Sequence, residues 1–168
     1  MDIYSFSNFG YEGALITIEV DLRRGIPATD IVGLADSEVK ASRERVQCAI
    51  RNSNLEYPSE RVLIALSPAD LRKEGATFDL PIALGILQKN FTENVLVMGE
   101  LELAGAIRPV RGVHAACSTA LANGILYAIV PTDNLDEALA TGIKAFGCDT
   151  LEYAYKLPQD LSTRKVAT

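Results

Sequence analysis

The chain has 168 residues, 48% of them hydrophobic and 23% charged, with a formal net charge of −6. These values fit one soluble globular domain large enough to bury a sizeable core, and the acidic balance argues against a free-standing nucleic-acid module, whose binding rests on phosphate neutralisation. No apolar run approaches the ~20 residues that span a bilayer, and the start Met1-Asp2-Ile3-Tyr4 lacks the basic region of a signal peptide, so a cytoplasmic location is expected.

In chain order, the first expected strand is Ala14–Asp21 and the second is Pro27–Gly33, joined through Gly25-Ile-Pro27. A helix follows over Ser37–Asn52. On it Lys40, Arg43, Gln47 and Arg51 share one face, and Val39, Val46 and Ile50 form the neighbouring apolar face. A strand over Arg61–Ser67 leads into a polar loop holding Asp70, Arg72, Lys73, Glu74 and Gly75. The next helix spans Leu80–Lys89, with Leu80, Ala83, Leu84 and Leu87 at helical spacing. Asp79 is placed to cap it, and Pro81 suits its first turn, where a missing N–H has no partner to lose. A strand over Val95–Leu103, a tight turn at Ala104-Gly105 and a short strand precede a helix over Val113–Asn123, with Gly124 as its C′ residue. Leu126–Pro131 and Lys144–Gly147 read as strands, Asn134–Ala140 and Thr150–Tyr155 as helices. The segment Leu161-Ser-Thr-Arg-Lys-Val-Ala-Thr168 is polar and basic, without a packing pattern. Two strands before the first helix, then strands and helices in mixture, predict an α+β domain with a mixed sheet. Cys48, Cys117 and Cys148 are too scattered for a disulfide framework or a zinc site and read as small core residues.

Two stretches carry more than fold. Ser67-Pro-Ala-Asp-Leu-Arg-Lys-Glu-Gly-Ala-Thr-Phe-Asp-Leu-Pro81 is a charged, glycine-containing loop between a strand and a helix N-terminus, a common place for function. Met98-Gly-Glu-Leu-Glu-Leu-Ala-Gly-Ala-Ile-Arg-Pro-Val-Arg-Gly112 is the second. Together with Thr29-Asp-Ile-Val-Gly-Leu-Ala35 and the charged helix after it, they resemble the amino-terminal domain of the magnesium-chelatase-like ComM/YifB family of AAA+ proteins. The resemblance covers residues 1–158, leaving 159–168 as a tail or the start of a linker. It implies a fold similar to the Lon proteolytic domain, whose sheet includes a left-handed crossover.

The Lon domain uses a serine and a lysine. The run matching its serine segment, Lys73-Glu-Gly-Ala-Thr-Phe-Asp79, puts Thr77 at the serine position, and Pro109-Val-Arg-Gly-Val113 puts His114 at the lysine position. Neither dyad residue is kept, so no catalytic residue is assigned. Thr77 and His114 are the weak candidates, because a threonine needs a base within hydrogen-bond reach to become a nucleophile. The chain has no Gly-Lys-Ser or Gly-Lys-Thr, hence no P-loop. No cofactor or metal is expected here; ATP and Mg belong to the module that the family places downstream.

The basic residues Arg23, Arg24, Lys40, Arg43, Arg51, Arg72, Lys73, Arg108 and Arg111 are candidates for contact with DNA or a neighbouring subunit of a ring, a hexamer in the family. The alternative for each is a solvated face paired with Glu38, Glu44 or Glu74. The expected function is a non-catalytic assembly and substrate-engagement domain of a DNA-processing AAA+ motor, in competence or branch migration. A Lon-type hydrolase with an altered Thr/His pair, or a partner domain in metal chelation, is the alternative.

Overall fold

The computed structural model describes residues 2–8, 13–68, 73 and 76–163. In chain order the elements are β1 (Ile3–Ser7), β2 (Ala14–Arg23), β3 (Ala28–Val32), α1 (Asp36–Asn52), β4 (Arg61–Ser67), a 3-10 turn at Ala76–Phe78, α2 (Asp79–Ile86), β5 (Val95–Val97), β6 (Glu100–Leu101), β7 (Ile107–Arg108), α3 (Val113–Ala122), β8 (Tyr127–Pro131), α4 (Leu135–Leu139), β9 (Lys144–Cys148) and α5 (Leu151–Tyr155). The domain is α+β with a mixed seven-stranded sheet in the order β3-β4-β2-β1-β5-β8-β9; β6 and β7 form a separate hairpin. Only β2 runs against the rest: it is antiparallel to β1 and β4, while β3–β4, β1–β5, β5–β8 and β8–β9 are parallel pairs. The carboxyl ends of six strands therefore meet at one edge of the sheet, the usual place for loops that carry function in such sheets.

The two faces carry separate cores. On one, α1, α2 and α5 bury Val46, Ile50, Leu80, Leu84 and Leu151 against Ile16, Ile18, Ile64 and Val95 of the sheet. On the other, α3 and α4 bury Val113, Ala116, Cys117 and Ala138 against Phe6, Leu96, Ala128 and Val130. Alternation along each strand sends successive side chains to opposite faces, so β5 and β8, covered on both sides, are buried throughout.

Three features depart from the sequence reading. Three strands, not two, precede α1, because Ile3–Ser7 is a strand between β2 and β5. Its serines hid it: Ser5 and Ser7 are buried, and Ser5 Oγ donates to the Val97 carbonyl at 2.7 Å. The expected strand Val95–Leu103 is broken at Met98-Gly99. There the chain pairs with the start of α2 instead: Gly99 N–H donates to the Thr77 carbonyl at 3.1 Å and Leu80 N–H to the Gly99 carbonyl at 3.0 Å. Leu161, read as tail, is fully buried, and its N–H donates to Glu93 Oε2 at 3.2 Å. The helix stop at Gly124 is as read. Gly124 has φ +80°, its N–H donates to the Leu121 carbonyl, and Ile125 N–H donates to the Ala120 carbonyl, a Schellman closure.

Gly33 closes β3 with φ +97°, and an added Cβ would lie 2.2 Å from the Leu66 carbonyl oxygen. Both the left-handed backbone and the close approach exclude a side chain. Gly33→Ala should lower stability by at least about 2 kcal/mol, read as a shift of the urea midpoint with the slope unchanged.

Candidate functional site

α2 is buried along its whole length, Asp79 to Ile86, so its single charged residue needs partners inside the protein. Asp79 does not cap the helix. Phe78 occupies the N-cap position, and the Asp79 side chain leaves the helix for α1. Its Oδ2 accepts from Arg45 Nε at 2.7 Å, and its Oδ1 accepts from Arg45 Nη2 at 3.0 Å. Ser42 Oγ donates to Oδ1 at 2.8 Å, and Leu101 N–H donates to Oδ2 at 3.1 Å. All four contacts are donors, so the pocket is shaped for the ionised carboxylate. Burial pushes the Asp79 carboxyl above the usual carboxylate range, against the opposing pull of Arg45, Ser42 and the Leu101 N–H. The hydrogen bond to Asp79 holds Arg45 above its ordinary value, against its own desolvation. The network joins α1, α2 and the β6–β7 hairpin at the carboxyl edge. Sequence reading missed it. The available signal was an aspartate heading an otherwise apolar run, Asp79-Leu-Pro-Ile-Ala-Leu-Gly-Ile86.

A second clamp fixes the neighbouring loop. Asn134 is buried; its Oδ1 accepts from Val110 N–H at 3.0 Å, and its Nδ2 donates to the Val110 carbonyl at 2.9 Å and to Glu137 Oε1. Asn8 Nδ2, just past β1, donates to the Arg111 carbonyl at 2.8 Å. The backbone of Val110 and Arg111 is thus pinned while the Arg111 side chain stands exposed.

The structure separates the two weak catalytic candidates. Thr77 is buried in the 3-10 turn before α2, whereas His114 is exposed in the first turn of α3. No hydrogen bond joins them among the described residues. Cys117 lies buried in α3, and burial, with a smaller push from Glu137, raises its thiol to about 12, the state of an unreactive core cysteine. Cys148 is buried, and Cys48 only partly so. Among the described residues, no three His, Cys, Asp or Glu side chains come together as metal ligands.

The basic candidates divide into groups. Lys73 does not stand on an exposed face: it is buried, with Nζ donating to the carbonyls of Gly33 at 2.8 Å and Pro68 at 2.6 Å. Its long stem lets the cation reach back to the ends of β3 and β4, which sequence spacing cannot reveal. Arg43 and Arg51 are engaged within the domain. Arg43 Nη1 donates to the Thr29 carbonyl at 3.1 Å, and the Arg51 guanidinium lies 5.8 Å over the Tyr57 ring. Gln47 joins them through Tyr57 Oη, which also contacts the Thr29 hydroxyl. Arg23 pairs with Asp21 at 2.9 Å and Arg108 with Glu102 at 3.7 Å, both on the surface, where each pair is worth at most ~1 kcal/mol. Among the described residues Lys40, Arg24 and Arg111 have no ion-pair partner, and the expected pairs of the α1 cations with Glu38 and Glu44 are not formed. Arg72 and Glu74 lie outside the described residues.

The structure is thus a mixed α+β domain whose carboxyl edge is held by two side-chain clamps, in a sequence without a P-loop. A family model described as subunit ChlI of Mg-chelatase matches residues 18–134. An uncharacterized protein of Mycobacterium tuberculosis is 39% identical over 155 residues, 88% of this chain and 31% of its own length. Uncharacterized protein YifB of Escherichia coli is 40% identical over 141 residues, 80% of this chain and 28% of its own length. Competence protein ComM of Haemophilus influenzae is 41% identical over 120 residues, 68% of this chain and 24% of its own length. A shorter match, 32% over 82 residues, is to DNA repair protein RadA of E. coli. The chain belongs to the magnesium-chelatase-like ComM/YifB family, and it spans between about a quarter and a third of the length of these curated relatives. Among the described residues no helix is long and apolar enough to cross a membrane.

Removing the Asp79 carboxylate leaves Arg45, Ser42 and the Leu101 N–H without their acceptor. Asp79→Ala should cost about 3–5 kcal/mol of stability. Asp79→Ala combined with Arg45→Met should cost less than the sum of the single changes, because the second change removes the stranded cation. Urea unfolding of the four proteins of this cycle checks both statements.

Proposed function

We propose that this domain is a non-catalytic assembly and substrate-engagement module of a magnesium-chelatase-like AAA+ ATPase that processes DNA. The observation that carries the reading is the division of the cations. Some are used inside the fold, whereas Lys40 on α1 and Arg111 in its clamped loop hold exposed charge on fixed backbone, and Arg24 is exposed just past β2. Such unpaired surface cations are the elements that contact phosphate or a neighbouring subunit's carboxylates. The names of two relatives, a competence protein and a DNA repair protein, favour DNA as the substrate class. ATP and Mg belong to a nucleotide-binding module elsewhere in the parent protein, with a ring of subunits as its working form. The acidic total charge makes the isolated domain a weak DNA ligand, and a ring that presents several copies raises affinity by multivalency.

The catalytic alternative has less support. A nucleophile and its base work at about 2.6–3.2 Å, yet Thr77 is buried and His114 is exposed on another element. The purified domain should therefore not hydrolyse peptides. Turnover that Thr77→Ala or His114→Ala abolishes would overturn the non-catalytic reading.

The DNA role is tested on the assembled parent protein. Lys40→Glu with Arg111→Glu should lower its affinity for branched and single-stranded DNA by about tenfold or more and flatten the salt dependence, since each lost phosphate contact reduces the slope by roughly one. The measurement is a salt titration with fluorescent DNA against rings shown to be intact by sedimentation. Unchanged affinity and slope would remove both cations from the DNA site.

A further inference from the structure

β2 is longer than its neighbour. β1 begins pairing at Ile3↔Ile18, whereas among the described residues β2 runs on to Arg23 with only β4 beside it. From Val20 to Arg23, alternate residues therefore direct N–H and C=O groups toward a side with no strand. A cleft of about 410 Å³ lies along this free edge. Asp2, Ile3 and Ile18 line it from the sheet side, and Gly85 of α2 with Gln88, Lys89 and Asn90 just past that helix line it from the other. An added Cβ at Gly85 would lie 3.0 Å from Val20 Cγ2, so the helix approaches the strand closely and the cleft is shallow. Val20 and Leu22, on the same face as buried Ile18, stay 41% and 40% exposed here, and Ile26 at the β2–β3 turn is 82% exposed.

We propose that this notch binds an extended peptide strand, which completes the sheet by pairing with the free edge of β2 in line with β1. Three observations fix the occupant's chemistry. The unsatisfied partner is a row of backbone groups, which another extended backbone matches and a helix or a flat surface does not. The exposed side chains are apolar and two residues apart, so the occupant carries apolar side chains in alternation. The charge is acidic: Asp2 and Glu19 line the cleft with no ion pair among the described residues, while the Lys89 ammonium is turned away to the Leu157 carbonyl and the rings of Phe91 and Tyr155. An occupant running in the direction of β1 has its carboxyl end beside them, and a cationic residue there meets them. Four residues, Val20 to Arg23, offer about 13 Å of edge at ~3.3 Å per residue, enough for a short linear segment.

The test is binding of a fluorescein-labelled, carboxyl-amidated hexapeptide, Val-Thr-Val-Thr-Val-Arg, to the full 168-residue chain, followed by anisotropy and by amide chemical shifts. The expected result is saturable binding, with shifts confined to residues 19–23 and 85–90. The same peptide with both threonines replaced by proline lacks two N–H donors and should bind about tenfold more weakly or worse. Val20→Lys, at an exposed position, should weaken binding similarly while circular dichroism shows the fold intact. Absence of saturable binding, equal binding of the proline peptide, or shifts elsewhere would overturn the proposal. So would a concentration-dependent dimer that Val20→Lys dissolves, since it would put a second copy on this edge.

Discussion

The carboxylate of Asp79 is the constraint on which the carboxyl edge depends. It is fully buried at the head of a helix that is itself entirely buried. An ion at that depth is tolerated only when nearly every lone pair has a donor. The donors come from three places: Ser42 and Arg45 on α1, and the backbone of Leu101 in the β6–β7 hairpin. Satisfying one charge therefore fixes the position of two helices and a hairpin relative to one another. The same junction breaks the expected long strand, because Gly99 turns its carbonyl to α2 where a continuous strand would have gone on.

Around this junction the protein sorts its cations by what the backbone needs. Lys73 and Arg43 reach carbonyls at the ends of sheet strands, and Arg51 covers the Tyr57 ring. These are fold contacts, and they take three of the nine basic candidates out of the functional set. The cations left over are few and rest on rigid supports: α1 for Lys40, and for Arg111 a loop held by Asn8 and Asn134. A side chain on a fixed backbone loses less entropy on binding than one on a loose loop. A small number of such cations suits a module that contributes to binding as one of several copies.

The antiparallel strand gives the sheet its other singular feature. β2 pairs with β4 from Thr17 to Arg23 but with β1 only from Ala14 to Ile18. Among the described residues one end of the sheet thus has no strand beside Val20–Arg23, where the end of α2 forms a wall, while the opposite end holds the carboxyl edge and its loops. The two surfaces lie at opposite ends of the same strand, so an occupant of one does not block the other.

The elements with a strong period or clear stop signal were legible in the sequence. The amphipathic pattern of α1, the alternation of β4 and the glycine stop after α3 depend on neighbours within one or two turns, and each is found within a residue or so of its expected place. The mixed α+β class followed from their order, and the family from motifs that run in the right sequence. β1 was not legible, because its buried serines look polar until Val97 supplies an acceptor. Nor were the roles of individual charges. Lys73 and Lys40 are the same residue type in similarly charged surroundings, yet one is buried against carbonyls from residues 33 and 68 and the other faces solvent. Asp79 read as a cap because local geometry favours it there; only the tertiary fold brings in Arg45, 34 residues away, and Ser42, 37 away. Sequence alone determined the helices and strands with a strong period or stop signal, since those depend on local spacing. The tertiary structure decided which charges are available for function, since that depends on donors and acceptors brought together from distant parts of the chain.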